Sequence, residues 1–185
     1  MKKAALTIRE ICVFAMLGAV MYLSKLLLEV APNVHLLACL TVAYTLVYRK
    51  KAIFPIMIYV MINGIFAGFA LWWIPYLYLW PLLWLAALRL PRNPHGWRGT
   101  LLCMALCGAH GMLFGTLYAP AQAILFHLSF KGMLSWIVAG LPWDAIHMCG
   151  NLAAGVLVLP IVRLLRRIDP LAAGKTEKPA ERMDS

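Results

Sequence analysis

Charged residues are scarce in this chain of 185 residues, at 13% of the sequence against 63% hydrophobic residues. Water-soluble domains carry about 25% charged and about 45–50% apolar residues. The composition therefore excludes a soluble domain and predicts an integral membrane protein. Acidic residues are the scarcest charged group, because 7 Asp and Glu stand against 17 Lys and Arg and leave a net charge of +10.

The chain also lacks the motifs of common nucleotide-binding and hydrolytic enzymes. It contains no Walker motif, no G-x-S-x-G and no H-E-x-x-H. We therefore predict that it is not an enzyme, that it binds no cofactor, and that any energy it uses comes from a partner or a gradient. A metal ion is not expected either, because Cys103, Cys107 and His110 supply fewer than the four donors of a structural zinc site.

The positive charge is clustered in a way that argues against a nucleic-acid partner. Basic residues lie at the ends of apolar runs, which is typical of cytoplasmic loops. Only Lys25 and Lys131 fall on the opposite side. The clusters are Lys2, Lys3 and Arg9; Arg49, Lys50 and Lys51; Arg89, Arg92 and Arg98; Arg163, Arg166 and Arg167; and Lys175, Lys178 and Arg182. This pattern predicts a multi-pass protein of the cell membrane with both termini in the cytoplasm.

Six apolar runs predict an all-α bundle of six transmembrane helices. The predicted helices cover about 7–28, 34–48, 52–71, 75–89, 100–120 and 142–163. Residues 134–140 are too few to span a bilayer and are predicted to form a half-helix or a cap at the outer face. We assign residues 1–168 to one membrane domain and expect the polar tail at 169–185 to be disordered.

The polar residues of the last predicted helix need an explanation in so apolar a chain. If Pro142 occupies the first helical position, the residues at 144, 147 and 151 fall within about a 60° arc of one helix. A carboxylate at mid-bilayer costs on the order of 2.5–3.5 kcal/mol. We therefore expect Asp144, His147 and Asn151 to face a polar cavity or a partner and not lipid.

Aromatic residues are concentrated at 72–80, in the run W-W-I-P-Y-L-Y-L-W. Trp73, Tyr76, Trp80 and Trp84 recur at helical spacing into the membrane, which the usual aromatic belt at a membrane interface does not require. Two interpretations stay open for these four rings. They form either part of the helical core or a stacking wall for a planar ligand.

Small residues on two helices predict close helix packing. Ala15-x-x-x-Ala19 with Gly18 lies on the first helix, and glycines at 108, 111 and 115 follow one side of the fifth. From the residues alone, the strip on the first helix suits internal packing and partner docking about equally.

Taken together, these features resemble the substrate-binding S components of energy-coupling factor (ECF) vitamin transporters. The resemblance spans 7–167 and includes the size, the six helices, the Ala15-x-x-x-Ala19 strip and the aromatic run. Its most specific part is G-L-P-W-D-A-I-H-M-C-G-N at 140–151, which is similar to the family's G-I-P-F-D-x-I-H-x-x-G-N stretch.

The resemblance implies an outward-facing vitamin pocket and a partner module made of a transmembrane coupling protein and two cytoplasmic ATPases. It implies that the S component topples in the membrane when those ATPases act. Ala15, Gly18 and Ala19 would meet the coupling protein. The substrate-binding candidates are Trp73, Tyr76, Trp80, Gln122, Trp136, Asp144, His147 and Asn151.

The substrate itself is bounded only by charge and shape. The nickel and cobalt branch of the family begins with Met-His, whereas this chain begins Met-Lys-Lys, so metal transport is disfavoured. Many aromatics and few outer charges suit a flat heterocycle with little net negative charge, such as a B vitamin, a thiamin-like precursor or a corrinoid. Two other classes stay open: a stand-alone secondary carrier, and a membrane enzyme using Asp144 and His147 as an acid/base pair.

Overall fold

The computed structural model describes residues 6–30 and 35–169, and this part of the chain is helical apart from its turns. The described helices are α1 (Ile8–Leu27), α2 (Leu37–Tyr48), α3 (Ile53–Ala67), α4 (Tyr76–Leu88), α5 (Gly96–Leu125), α6 (Phe130–Gly155) and α7 (Val158–Ile168). Short 3-10 turns occupy Arg49–Ala52 and Leu71–Trp73. The all-α prediction is confirmed for these residues. The turn predicted at 31–34 and the tail from 170 onward lie outside the described residues.

Several of these helices are long and apolar enough to cross a membrane. Four continuous stretches meet that criterion, namely Ile8–Leu27, Leu37–Ala67, Leu71–Leu88 and Gly96–Leu125. A fifth is formed by α6 and α7 together, which meet at a bend of 45°. Large apolar side chains point outward from the bundle, as at Ile8 (82% exposed). The architecture is that of a multi-pass membrane protein.

The helix α2 forms the centre of the bundle and runs antiparallel to α1. Residues 37–46 are all buried. The ring of Tyr48, at the end of α2, packs edge-on against Phe14 early in α1, at 5.3 Å between centroids. One turn back, the hydroxyl of Tyr44 donates to the carbonyl of Leu17, further along α1, at 3.4 Å. With 12 residues, α2 is about 18 Å long and is shorter than the apolar core of a bilayer.

The helix α3 runs parallel to α1, so the chain doubles back between α2 and α3. Near the start of both helices Lys51 forms an ion pair with Glu10. Near their far ends the Lys25 ammonium donates to the Asn63 side-chain oxygen at 3.1 Å. The reversal occurs in the 3-10 turn, where Arg49 has a φ of +53°. The stretch Leu37–Ala67 therefore does not run straight, although its length alone qualifies it as one span.

Basic residues of separate loops meet at one end of the bundle. A guanidinium nitrogen of Arg49 donates to the carbonyl of Leu88 at the end of α4. Another, from Arg166 in α7, donates to the carbonyl of Arg92 in the α4–α5 loop at 3.0 Å. We call this the Arg-rich end, and the opposite end, which holds the α5–α6 connection at 126–129, the turn end.

The antiparallel helices α5 and α6 share an extensive contact, and glycines make their close approach possible. A Cβ atom at Gly111 would lie 2.8 Å from the carbonyl oxygen of His147. At Gly155, on the other helix, it would lie 2.6 Å from the Cα of Met104. The predicted close packing along the glycine side of the fifth helix is confirmed.

Two predicted boundaries in this pair are wrong. Pro142 does not begin a helix, because α6 begins at Phe130, capped by the Ser129 hydroxyl, and continues through Pro142 to Gly155. There is accordingly no separate half-helix at 134–140. Likewise Pro120 lies inside α5 and does not end it. Proline removes a single backbone donor, and membrane helices tolerate that loss when neighbouring groups satisfy the freed carbonyl.

Candidate functional site

A cavity of about 420 Å³ opens between α5, α6 and the Leu71–Trp73 turn, in the half of the bundle nearer the turn end. This volume lies within the range of small-molecule sites, roughly 300–1,000 Å³. It is lined by Trp72, Phe114, Gly115, Tyr118, Gln122, Phe126, Trp136, Gly140, Trp143, Asp144 and His147. Both helices contribute because their polar and aromatic residues recur every three or four positions and so share one face.

The carboxylate of Asp144 is fixed in this cavity by the backbone of the facing helix. Its two oxygens lie 3.0 and 3.2 Å from the amide nitrogen of Gly115, which donates to them. Asp144 is only 6% exposed. A Cβ atom at position 115 would lie 2.5 Å from Oδ2 of Asp144, so the carboxylate reaches the amide only because residue 115 is glycine. This pairing makes Asp144 a rigid, buried acceptor in the cavity wall.

Aromatic side chains form most of the remaining wall. Tyr118 and Trp136 stack on each other at 5.9 Å between centroids and 17° between planes. The Tyr118 hydroxyl donates to the carbonyl of Trp72 at 2.9 Å, which ties α5 to the turn before α4. Deeper in the cavity, Phe114 packs edge-on against His147 at 4.9 Å. The wall is therefore held by hydrogen bonds and ring contacts between three elements.

Four of the eight predicted substrate-binding residues line the cavity: Gln122, Trp136, Asp144 and His147. Asn151 lies on α6 with the last three of these residues but below the cavity. It is completely buried, and its amide nitrogen faces Gly111. The polar face predicted from the sequence therefore exists, although its last member does not reach the cavity.

The other three predicted residues pack inside the bundle. The Trp73 indole N–H donates to the carbonyl of Val60 on α3 at 2.8 Å. Trp80 is 1% exposed and packs edge-on against Tyr59 and Tyr76, at 5.8 and 6.0 Å. Of the two interpretations of this aromatic run, these contacts match core packing. The stacking wall of the cavity is built from other rings.

The rings that sequence reasoning missed are those at positions 72, 114, 118, 126 and 143. A partial signal existed on α5, because Phe114, Tyr118 and Gln122 are spaced by four and lie beside Gly115. Trp72 and Trp143 carried no such signal. The position of Trp72 at the expected membrane interface indicates the aromatic belt. Trp143 is adjacent to Asp144 in sequence rather than one helical turn away, so periodicity does not place the two residues on the same helix face.

A second group of polar side chains lies next to the cavity floor. The His35 ring, before α2, meets His147 at 4.8 Å between centroids, and His110 packs beside Trp80 at 5.4 Å. Several buried polar atoms in this group have no hydrogen-bond partner within the described residues: His35 Nδ1, His110 Nδ1, His147 Nε2, Trp80 Nε1 and both amide atoms of Asn151. Because His147 belongs to both sets, the cavity and this polar cluster are contiguous.

No group of three or more His, Cys, Asp or Glu residues in the described part of the chain is arranged to hold a metal ion. Cys103 and Cys107 are buried free thiols that belong to the apolar core. Their position is that of small apolar residues.

The small-residue strip on α1 divides between two surfaces. Gly18 is buried, and a Cβ atom there would lie 2.6 Å from the side chain of Ile58 on α3. Ala15 is exposed and Ala19 is half-buried. Gly18 therefore serves the packing of α1 on α3 and does not share the outward surface of Ala15. Partner docking through Ala15 and Ala19 stays a prediction.

The chain matches no protein-family model, and no characterised protein or solved structure is significantly similar to it.

Proposed function

We propose that this protein is the substrate-binding membrane subunit of an ECF-type importer, which captures a vitamin or a related small molecule at the outer face of a prokaryotic cell membrane. The observation that carries the proposal is the position of Asp144 and His147. They belong to the motif at 140–151, and both side chains line a cavity of ligand size.

The topology is compatible with six crossings of the membrane. The helices α1, α3 and α5 run away from the Arg-rich end, whereas α2, α4 and the bent pair α6–α7 run back toward it. If the Arg-rich end faces the cytoplasm, as the positive-inside rule predicts, both termini are cytoplasmic and the cavity lies in the outer half. A cavity in that half suits capture of a ligand from outside.

Transport would then depend on partners. The exposed side of α1, with Ala15 at its centre, would dock against a transmembrane coupling protein, and two cytoplasmic ATPases would supply the energy by hydrolysing ATP. The chain itself would bind substrate without transforming it and without a cofactor of its own. The S component would deliver its ligand by toppling within this complex.

The test is affinity purification of the full chain from its native membrane, combined with mass spectrometry of co-purifying proteins and small molecules. We expect a coupling protein, two ATPases and a bound heterocycle. Recovery of the chain without ATPases, together with uptake that follows an ion gradient, would contradict the proposal.

That second result would favour a stand-alone secondary carrier. One observation gives this alternative some support: the His35 and His147 rings lie 4.8 Å apart next to the cavity, and His147 and His110 both pack against Phe114, so three imidazoles are grouped where a proton relay would need them. For an enzyme there is no comparable support, because the hydrogen bonds of Asp144 go to Gly115 and not to His147.

A further inference from the structure

We propose that the cavity binds an organic cation, with Asp144 as its counter-ion and the aromatic walls as its cage. The inference rests on the proposed function only in taking this cavity as the substrate site. It concerns the charge of the ligand, which neither the fold nor the motif determines.

The charged side chains that line the cavity do not balance. Among the described residues that line it, Asp144 is the only acid, and none is Lys or Arg. Lys131 is the basic residue nearest to the cavity along α6, but it is exposed in the first turn of the helix and is not part of the lining. The buried carboxylate therefore has no cationic side chain in contact with it, an arrangement that is unfavourable unless the group takes up a proton or a positive charge is supplied from outside the chain.

The Asp144 carboxylate accepts fewer hydrogen bonds than it can. One amide N–H, that of Gly115, serves both oxygens of Asp144. An ionised carboxylate has about four acceptor sites. Most of its accepting capacity therefore remains for a ligand, and the fixed geometry means that little reorganisation is needed when a cation or an N–H donor arrives.

The walls of the cavity are largely aromatic. Six aromatic rings line the cavity: Trp72, Phe114, Tyr118, Phe126, Trp136 and Trp143. The faces of such rings attract cations, and a cage of them is a common way to bind quaternary ammonium groups and aromatic cations. A flat cationic heterocycle would stack on these rings and pair with Asp144 at the same time.

Two further polar side chains line the cavity and bear on which ligand it can bind. His147 Nε2 has no partner within the described residues and sits in the floor, and the amide of Gln122 lies nearer the turn end. The Gln122 amide can hydrogen-bond the edge of a heterocycle. The same cavity rejects phosphorylated and carboxylated ligands, because Asp144 repels them and no lining Lys or Arg neutralises them.

The experiment uses three probes of one ring system with different charges: N-methylquinolinium, quinoline and quinaldate. Isothermal titration calorimetry on the detergent-solubilised full chain, at mildly alkaline pH, measures the affinity of each. We expect N-methylquinolinium to bind at least about tenfold more tightly than quinoline, and quinaldate to bind most weakly.

Variants assign the effect to the cavity. Asp144→Asn keeps an acceptor for the Gly115 amide and removes the charge, so the cation and the neutral probe should then bind with similar affinity. Glu29→Gln removes an exposed acid from the turn after α1 and should leave the cation preference unchanged. Gln122→Glu adds a second acid to the lining and should increase it, which provides a test even if Asp144→Asn fails to fold.

The proposal is overturned if the wild-type protein binds the neutral or anionic probe as tightly as the cation, or binds none of the three. It is equally overturned if the preference survives Asp144→Asn or fails to rise in Gln122→Glu. These measurements need no partner protein. If no coupling module co-purifies, the proposed function is contradicted but the proposal of a cationic ligand is not. If the cavity shows no preference for the cation, the proposal of a cationic ligand is contradicted but the proposed function is not.

Discussion

The Asp144 carboxylate and the Gly115 amide are joined across the contact between α6 and α5. The two oxygens lie 3.0 and 3.2 Å from the amide nitrogen, and the missing side chain at 115 provides the space. The position of the acid in the cavity is thus determined by a glycine 29 residues earlier in the chain.

Replacing Gly115 with Ala should displace Asp144 and weaken ligand binding. The added Cβ would lie 2.5 Å from Oδ2, so either the carboxylate must rotate or the helices must separate. Overpacking of this kind typically destabilises by about 1–3 kcal/mol. Probe titration together with thermal unfolding in detergent would measure both effects.

The matched control is Gly132→Ala in the first turn of α6. There the nearest atoms to a new Cβ are 3.4 Å away, which is an ordinary contact, and the position lies outside the cavity. We expect unchanged binding and unchanged or slightly higher stability. If Gly115→Ala behaved like Gly132→Ala, the close pairing at Asp144 would have no role in binding.

The pairing of Asp144 with Gly115 also shows which features of the site could be predicted from the sequence. The shared face of Asp144 and His147 follows from helical periodicity, and apolar runs located the helices. The prediction of a shared face is correct although the predicted helix start at Pro142 is wrong, because Asp144 and His147 both lie on α6. The partner of Asp144 could not be predicted in the same way, since nothing local links it to Gly115.

Ring contacts between residues far apart in the chain could not be predicted from local sequence patterns either. Tyr118 becomes a cavity wall only because its hydroxyl reaches the backbone at Trp72 and its ring stacks on Trp136. Trp80, with the stronger sequence signal, is enclosed by α2, α3 and α5. Periodicity identifies a face of a helix, whereas tertiary packing decides whether that face meets a cavity or a core.

Replacing Trp136 with Ala should weaken binding of a flat ligand by about tenfold or more, because it removes a ring that lines the cavity and stacks on Tyr118. Trp136→Phe should retain most of the affinity. Quenching of intrinsic fluorescence by N-methylquinolinium provides the measurement. The control is Trp97→Ala, since Trp97 is 69% exposed near the Arg-rich end. Equal losses in the Trp136→Ala and Trp97→Ala variants would remove Trp136 from the site.

Replacing Ala15 with Trp should block uptake and leave ligand binding intact. Ala15 is exposed on α1, where a bulky side chain can fold normally but prevents close approach of another helix. Ile65→Trp on α3, where the native side chain is 64% exposed, is the control for added bulk on a lipid-facing surface. Co-purification of the coupling protein and cellular uptake are the readouts. Normal uptake with Ala15→Trp would exclude docking at this position.

Gly18 should respond differently from Ala15, because it faces α3. Gly18→Leu would place atoms against Ile58, so we expect a loss of stability of about 1–3 kcal/mol and lower yield of folded protein. Thermal unfolding in detergent distinguishes this from a pure docking defect. A fully stable Gly18→Leu variant with defective partner binding would instead return Gly18 to the docking surface.

The reversal of the chain between α2 and α3 predicts which loops share a side of the membrane. Single cysteines in place of Lys50 and Lys131, both exposed, would report on the Arg-rich end and the turn end. In a background without native cysteines, a membrane-impermeant maleimide added to intact cells should label position 131 and spare position 50. Permeabilised cells should label both, which controls for reactivity. Labelling of both positions in intact cells would show that the Arg-rich end is not cytoplasmic, and the outward-facing cavity would then be wrong as well.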